Sequence, residues 1–451
     1  MNRMAAIIEG IKSRLQPTDA ERSAVEAAAK EIETRLKRAS VHYELGGSYA
    51  HGTWLPGSAD LDYFLLYSPE MGATAIARTG MTDAQTVLKG YTTRMRFAEH
   101  PYLEGYVGGI RVNLVPCADA KPGNWVTSMD RSRYHSAFMK EHLNEEMKGE
   151  VRVAKAFLKA RGLYGAEIRI AGFSGYLTEV LIVKYGSFLQ LIKAATVWKK
   201  GEMITIDSPS SSVKQLFQAA PLIVIDPVDP RRNLAQALRP ANIGKFILLS
   251  RSFIRKPRAS YFRKPAMGGG ADVNLMFTDM LDHTAQIIFP SSQKVEDIRW
   301  GEYKKSLGAI TGRLKEMGYP VIKAIILEKG EWTSFAILLQ NTDDIITLRK
   351  GPSAFDPKNS SAFLHANRRF VWVADDVNVY TMAKRGPVEA IIKHILKRPV
   401  ENGISKGIAN STKASVVTVG LQINELKGTK KTTAKLAMEE LVLTDDVTDL
   451  I

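Results

Sequence analysis

The sequence predicts an α+β protein in three parts, and three observations predict it. Residues 60–67, Asp60-Leu61-Asp62-Tyr63-Phe64-Leu65-Leu66-Tyr67, are apolar apart from two carboxylates, as in a buried strand. From about Asp130 to Arg255 the apolar residues recur mainly at helical spacing. The last third combines one long amphipathic helix with pairs of short strands.

The elements follow in order. Pro17-Thr18-Asp19-Ala20-Glu21 starts a helix, with Thr18 as cap and Glu21 three residues later. Val25, Ala28, Ile32 and Leu36 then mark its apolar face. Val41, Tyr43 and Leu45 alternate as a strand that runs into Gly46-Gly47-Ser48. Glycines there let the backbone turn tightly and offer N–H groups to phosphate oxygens. A further strand at Ile110–Pro116 brings Asn113 towards the aspartates.

Val151, Ala154 and Leu158 line one helix, which breaks at Gly162/Gly165, and a second helix begins near Ser174. The basic, Pro- and Gly-rich stretch from Arg255 to Gly270 predicts a boundary. The expected domains are therefore 1–129, 130–265 and 266–451. In the last, Trp300, Tyr303, Leu307, Ile310, Leu314 and Met317 recur at steps of three and four. Strands are expected at Val321–Leu327 and Trp332–Gln340, and a hairpin at Phe370–Ala374 and Val377–Met382. Helices are expected at Val388–Leu396 and Leu436–Leu443.

Composition narrows the function. With 451 residues, 45% hydrophobic and 24% charged, the chain reads as an ordinary soluble protein. Lys plus Arg exceed Asp plus Glu by 62 − 47, a net charge of +15 that favours a polyanionic partner. The single cysteine, Cys117, rules out an intrachain disulfide and a multi-cysteine zinc site. No apolar run is long enough for a membrane span, and the first residues lack a signal-peptide core. A cytoplasmic location is the expectation.

Asp60 and Asp62, two apart on a strand, share a face. Adjacent carboxylates repel unless a cation sits between them, and paired Mg²⁺ ions do this in phosphoryl and nucleotidyl transfer. On the residues alone, the alternative is a pair of solvated aspartates on an edge strand. The Gly-Ser turn just upstream, and a strand too apolar to be exposed, favour an enzyme that moves a nucleotide.

Further segments join this motif: Val115-Pro116-Cys117, Asp130-Arg131-Ser132-Arg133-Tyr134-His135, Gly165-Ala166-Glu167, Gly172-Phe173-Ser174-Gly175-Tyr176-Leu177 and Asp226–Asn233. In this order and spacing they resemble the archaeal (class I) CCA-adding tRNA nucleotidyltransferases, clearly from about residue 40 to 262. The resemblance implies a polymerase-β-like catalytic domain, a helical central domain and a C-terminal α+β RNA-binding body with a tail. It implies CCA addition to the tRNA 3′ end from CTP and ATP, Mg²⁺ as cofactor, no template, and a homodimer.

Carried over by position, Asp60 and Asp62 hold metal, and Ser48, His135, Lys155 and Tyr164 contact the triphosphate. Ser174 caps a helix whose start favours phosphate, though simple capping explains it equally. Arg232 reads the incoming base with its fork of donors, or else pairs with Asp226 or Asp229.

Two departures stand out. Asn113 occupies the third carboxylate position, where an amide brings a carbonyl oxygen but no charge. An introduced substitution and natural divergence both account for it. The expectation is a chain that binds nucleotide and tRNA but extends slowly, by roughly 10²–10⁴-fold for a loss of ~3–5 kcal/mol. Arg111, on the same face, is a second irregularity, and His51 stands where the family carries Arg or Lys. The competing functions are a poly(A)-type polymerase and a catalytically dead RNA-binding homologue.

Overall fold

The computed structural model describes residues 3–97, 101–207, 216–217, 219–264, 280–367, 371–373 and 378–443. The described residues divide into two units on either side of Ala266/Met267. Each unit has its own core.

The first unit opens with helix α1 (Arg3–Arg14) and helix α2 (Asp19–Arg38). Thr18 and Glu21 form the expected reciprocal capping box, and Val25, Ala28, Ile32 and Leu36 are buried. A five-stranded sheet follows, made of β1 (Tyr43–Gly46), β2 (Asp60–Tyr67), β3 (Thr93–Phe97), β4 (Pro101–Val107) and β5 (Ile110–Ala118). Its order is β1-β2-β5-β4-β3, with β2 and β5 parallel and the other pairs antiparallel. β2 is an inner strand covered on both faces, with Leu61, Tyr63 and Leu65 in one core cluster and Phe64 in another, which is why its sequence is apolar beyond the aspartates.

β5 runs through Pro116, two residues longer than expected. Pro116 lies past the last β4 pair, Leu103↔Leu114, so its missing N–H interrupts no bond to that neighbour. Between β1 and β2 the Gly-Ser segment is a single helical turn, α3 (Gly47–Ala50), rather than an open turn. Helix α4 (Gly72–Val87) and the β3/β4 hairpin carry no strong signal in the sequence and complete the layer.

The helical part of this unit holds α5 (Arg131–His142), α6 (Glu145–Ala160), α7 (Gly175–Tyr185), α8 (Phe188–Ala195) and a further helix at Pro240–Arg255. A small parallel pair, β6 (Glu202–Ile204) and β7 (Leu222–Val224), interrupts the helices. Phe157, Phe173, Phe188, Phe246 and Phe253 are fully buried among them.

In the second unit β8 (Thr284–Pro290), β9 (Val321–Lys329), β10 (Trp332–Leu339) and β14 (Val416–Val419) form an antiparallel sheet ordered β14-β8-β10-β9. Ile287, Phe289, Phe335 and Ile337 face the helix Glu296–Glu316, through Tyr303, Ile310 and Leu314. The alternate residues Ile288, Ala336 and Leu338 face the C-terminal helix Gly428–Leu443, through Ala434, Met438 and Leu441. This is the strict period of a sheet covered on both sides. A second sheet comprises β11 (Ile345–Ser353), β12 (Val371–Val373) and β13 (Asn378–Arg385), ordered β11-β13-β12. The expected hairpin corresponds to β12 and β13, although Phe370, Ala374 and Val377 lie outside the described residues.

Candidate active site

The β2/β5 register builds the first half of the site. Asp60 pairs with Arg111 and Asp62 with Asn113, so four polar side chains share one face of neighbouring parallel strands. The Arg111 guanidinium grips Asp60 with both arms, Nε to Oδ1 at 2.8 Å and Nη2 to Oδ2. Asn113 donates its Nδ2–H to Asp62 Oδ1 at 2.8 Å. Asn113 Oδ1 is left buried without a hydrogen-bond partner among the described residues. Desolvation, together with the Asp60 charge, raises the Asp62 pKa against the opposing pull of Asn113, Arg111 and His51.

Gly47 makes this possible. Its φ is +68°, and a Cβ there would lie 2.0 Å from Asp62 Oδ2. Ser48 follows on α3 and lines a cavity of about 450 Å³ together with Asp60, Arg111, Lys155 and Tyr164. Burial pushes the Tyr164 phenol pKa up, although nearby Lys155 pulls the other way. Ser174 caps α7 by accepting from Leu177 N–H at 3.1 Å.

Beneath α3 lies a carboxylate that the sequence reading did not single out. Glu179 on α7 is 3% exposed and receives Lys155 Nζ at 2.9 Å, His51 Nδ1 at 3.0 Å and the Thr53 hydroxyl. Lys155 is itself 2% exposed and also donates to Thr53 Oγ1 at 3.0 Å, so its charge is already compensated. Burial opposes ionisation of both partners, yet their attraction wins: Lys155 is raised, and Glu179 is lowered to about 2. His51 Nε2 is buried without a hydrogen-bond partner among the described residues. The signal for Glu179 was present, because a lone acid inside Leu177–Val183 must be exposed or paired.

His135 and Arg232 meet elsewhere, at Asp226. His135 Nε2 is 2.9 Å from the fully buried Asp226, and Arg232 Nη1 is 3.5 Å from the same oxygen. His135 also stacks on Tyr176 with centroids 3.9 Å apart. Asp226 is held below its usual pKa by His135 and the Val228 N–H despite desolvation. Helix α7 links the two clusters, since Tyr176 stacks on His135 and Glu179, one turn on, pairs with Lys155.

The expected site residues thus form two groups. Asp60, Asp62, Asn113, Ser48, Lys155 and Tyr164 surround or adjoin the cavity, while His135 and Arg232 share Asp226. Among the described residues, no three His, Cys, Asp or Glu side chains form a metal-binding group. On β5 the residue paired with Asp62 is an amide, Asn113, rather than an acid.

Two family profiles match the first unit. "Nucleotidyltransferase domain" spans residues 25–135, and "tRNA nucleotidyltransferase, second domain" spans 149–263. The chain is 31% identical to the CCA-adding enzyme of Methanopyrus kandleri, across 91% of each chain. It is 35% identical to the CCA-adding enzyme of Pyrobaculum neutrophilum, over 72% of this chain and 75% of that one. A structure of the Cid1 poly(U) polymerase covers 58% of this chain and 99% of its own, at TM-score 0.48 and 12% identity. An alignment that reaches past the nucleotidyltransferase domain and through most of the second unit shows that the chain belongs to the CCA-adding enzyme family.

Proposed function

We infer that this chain adds the CCA terminus to the 3′ end of tRNA from CTP and ATP without a template. The observation that carries the reading is the shared face of Asp60 and Asp62, with Asp60 at a cavity also lined by Ser48, Lys155 and Tyr164. Membership of the CCA-adding family directs that nucleotidyl-transfer chemistry to tRNA.

The donor set suits a hard divalent cation, and we assign Mg²⁺ to it. Asp60, Asp62 and Asn113 Oδ1 are three oxygens on one face, the last an orphaned buried acceptor. When bound, Mg²⁺ would organise the triphosphate and lower the pKa of the RNA 3′-hydroxyl. Binding must compete with Arg111, which now satisfies both oxygens of Asp60. Asn113 supplies no charge for a cation and accepts no proton from the 3′-hydroxyl, so slow chemistry is part of this reading.

Ser48 would hold phosphate oxygens at the cavity. Lys155 supports it from behind, by tying Thr53 to Glu179 and so fixing the end of the loop that carries Ser48. Arg232, 47% exposed at its side chain, keeps free donors for an incoming base while Asp226 and His135 set its direction. Rejection of the wrong base then rests on donors left unpaired.

The test is incorporation by tRNA lacking its terminus, supplied with each nucleotide singly and in pairs. Addition of C from CTP and then A from ATP is expected. Long A tails from ATP alone would sink the reading in favour of a poly(A)-type polymerase. The reading includes a cytoplasmic homodimer, which light scattering would register as twice the chain mass. Among the described residues no helix is long and apolar enough to cross a membrane.

A further inference from the structure

Behind the loop that carries Ser48 lies a second concavity, of about 350 Å³, and its chemistry is cationic. Arg22, Gly52, Trp54, Lys148 and Arg152 line it, together with Glu145. Glu145, Lys148 and Arg152 stand three and four residues apart on α6, so they share a face of that helix. Trp54 also lines the larger cavity beside Ser48, so the two cavities are back to back across one indole.

Arg152 is the unusual member. It is only 6% exposed, yet no carboxylate lies within ion-pair distance among the described residues. Its Nη1 donates to Gly52 O at 2.6 Å, and its Nε is buried without a hydrogen-bond partner among the described residues. Glu145 is spent on Lys148, at 2.6 Å, and its side chain is 89% exposed. Arg22 faces the same space, and burial together with this second guanidinium pulls the Arg152 pKa down. Buried cations in proteins are paired, because an isolated one is costly. Three cations against one acid leave an excess of two positive charges around a space of about 350 Å³, wide enough for a small polyatomic ion.

We propose that this concavity is a phosphate-binding site, in which Arg152 and Arg22 grip a phosphate oxyanion beside Lys148. A guanidinium fork matches phosphate oxygens, and a dianion matches the excess charge. The Arg152–Gly52 hydrogen bond connects the site to the end of the loop that begins at Gly47. The proposal does not depend on the catalytic reading; only the CTP control in its test rests on it.

Titration calorimetry of the full chain with orthophosphate, in chloride buffer and without divalent metal, tests it. Binding at ~1 mM or tighter is expected. Arg22→Met should weaken it at least about fivefold, as should Arg152→Lys, through loss of one charge-assisted contact. Arg22 is exposed and makes only long hydrogen bonds, to Pro17 O at 3.3 Å and Gln16 Oε1 at 3.5 Å, so its variant stays informative should the buried arginine be needed for folding. Saturating CTP, which would clear phosphate from the Ser48 cavity, should leave the binding in place. Parental affinity in Arg22→Met, loss of binding under CTP, or no heat of binding at all would each overturn the proposal. Competition by tRNA would assign the phosphate to an RNA backbone, and orthophosphate binding unaffected by tRNA would assign it to free phosphate. Either result supports the site.

Discussion

The carboxylate face of β2 and the network under α3 are both clusters of opposite charge, and they differ in solvent. The Asp60–Arg111 pair has side chains 27% and 43% exposed, whereas Glu179 and Lys155 are 3% and 2% exposed. An exposed pair contributes little, with a median of about 0–1 kcal/mol. Removing one partner of a buried pair costs about 3–5 kcal/mol, because the other is left desolvated. The first cluster is therefore exchangeable, and its cation can be replaced by another. The second is part of the scaffold, and the loop that carries Ser48 rests on it.

The sharpest way to break this comparison is Glu179→Gln. It should destabilise the chain by about 3–5 kcal/mol, measured by urea denaturation, because it strands Lys155. A loss of less than about 1 kcal/mol would make the buried network no more structural than a surface pair.

Acid probes the same group without mutation. Glu179 titrates near 2 in the folded chain, against 4.5 when unperturbed. Its contribution is fully present above pH 4.5 and is lost as pH falls through about 2, because the unfolded chain takes the proton first. Integrated over that window the effect is about 3 kcal/mol. Denaturation at pH 5 and at pH 2.5 should show Glu179→Gln losing less stability on acidification than its parent.

At the open cluster, Asn113→Asp should raise the rate of nucleotide addition at least about tenfold, or ~1.4 kcal/mol in barrier. Equal rates in single-turnover assays would mean that the amide does not limit the site. The smallest effect is expected for Arg111→Ser, which frees Asp60. Divalent-metal binding by calorimetry should tighten about threefold, a fraction of a kcal/mol, in keeping with a partly exposed pair. Unchanged metal affinity would show that Arg111 does not compete for Asp60.

Local signals made much of this legible. The Thr18/Glu21 box, the apolar run of residues 60–67 and the helix around Tyr303 and Ile310 are written in neighbouring residues, and they form as expected. The β3/β4 hairpin was not legible, since Met95 and Tyr106 are exposed while Gly105 and Val107 are buried, which blurs the alternation. At the site, the shared face of Asp60 and Asp62 follows from strand geometry alone, whereas the approach of Gly47 to Asp62 follows from the β1/β2 pairing. Glu179 was visible as an acid in an apolar helix, but nothing local named Lys155, His51 and Thr53 as its partners.

The sequence by itself determined which residues carry charge next to a tight glycine turn, and which family that pattern resembles. Periodicity and motif spacing act over a few residues, and they need no knowledge of the fold. Only the tertiary structure decided how those charges are spent. It set β2 against β5 so that Arg111 closes on Asp60, and it brought α7 under α3 so that Glu179 neutralises Lys155. It also left Arg152 buried with no acid within ion-pair distance among the described residues. Partnership between residues 24 to 128 positions apart depends on packing, and no local pattern encodes it.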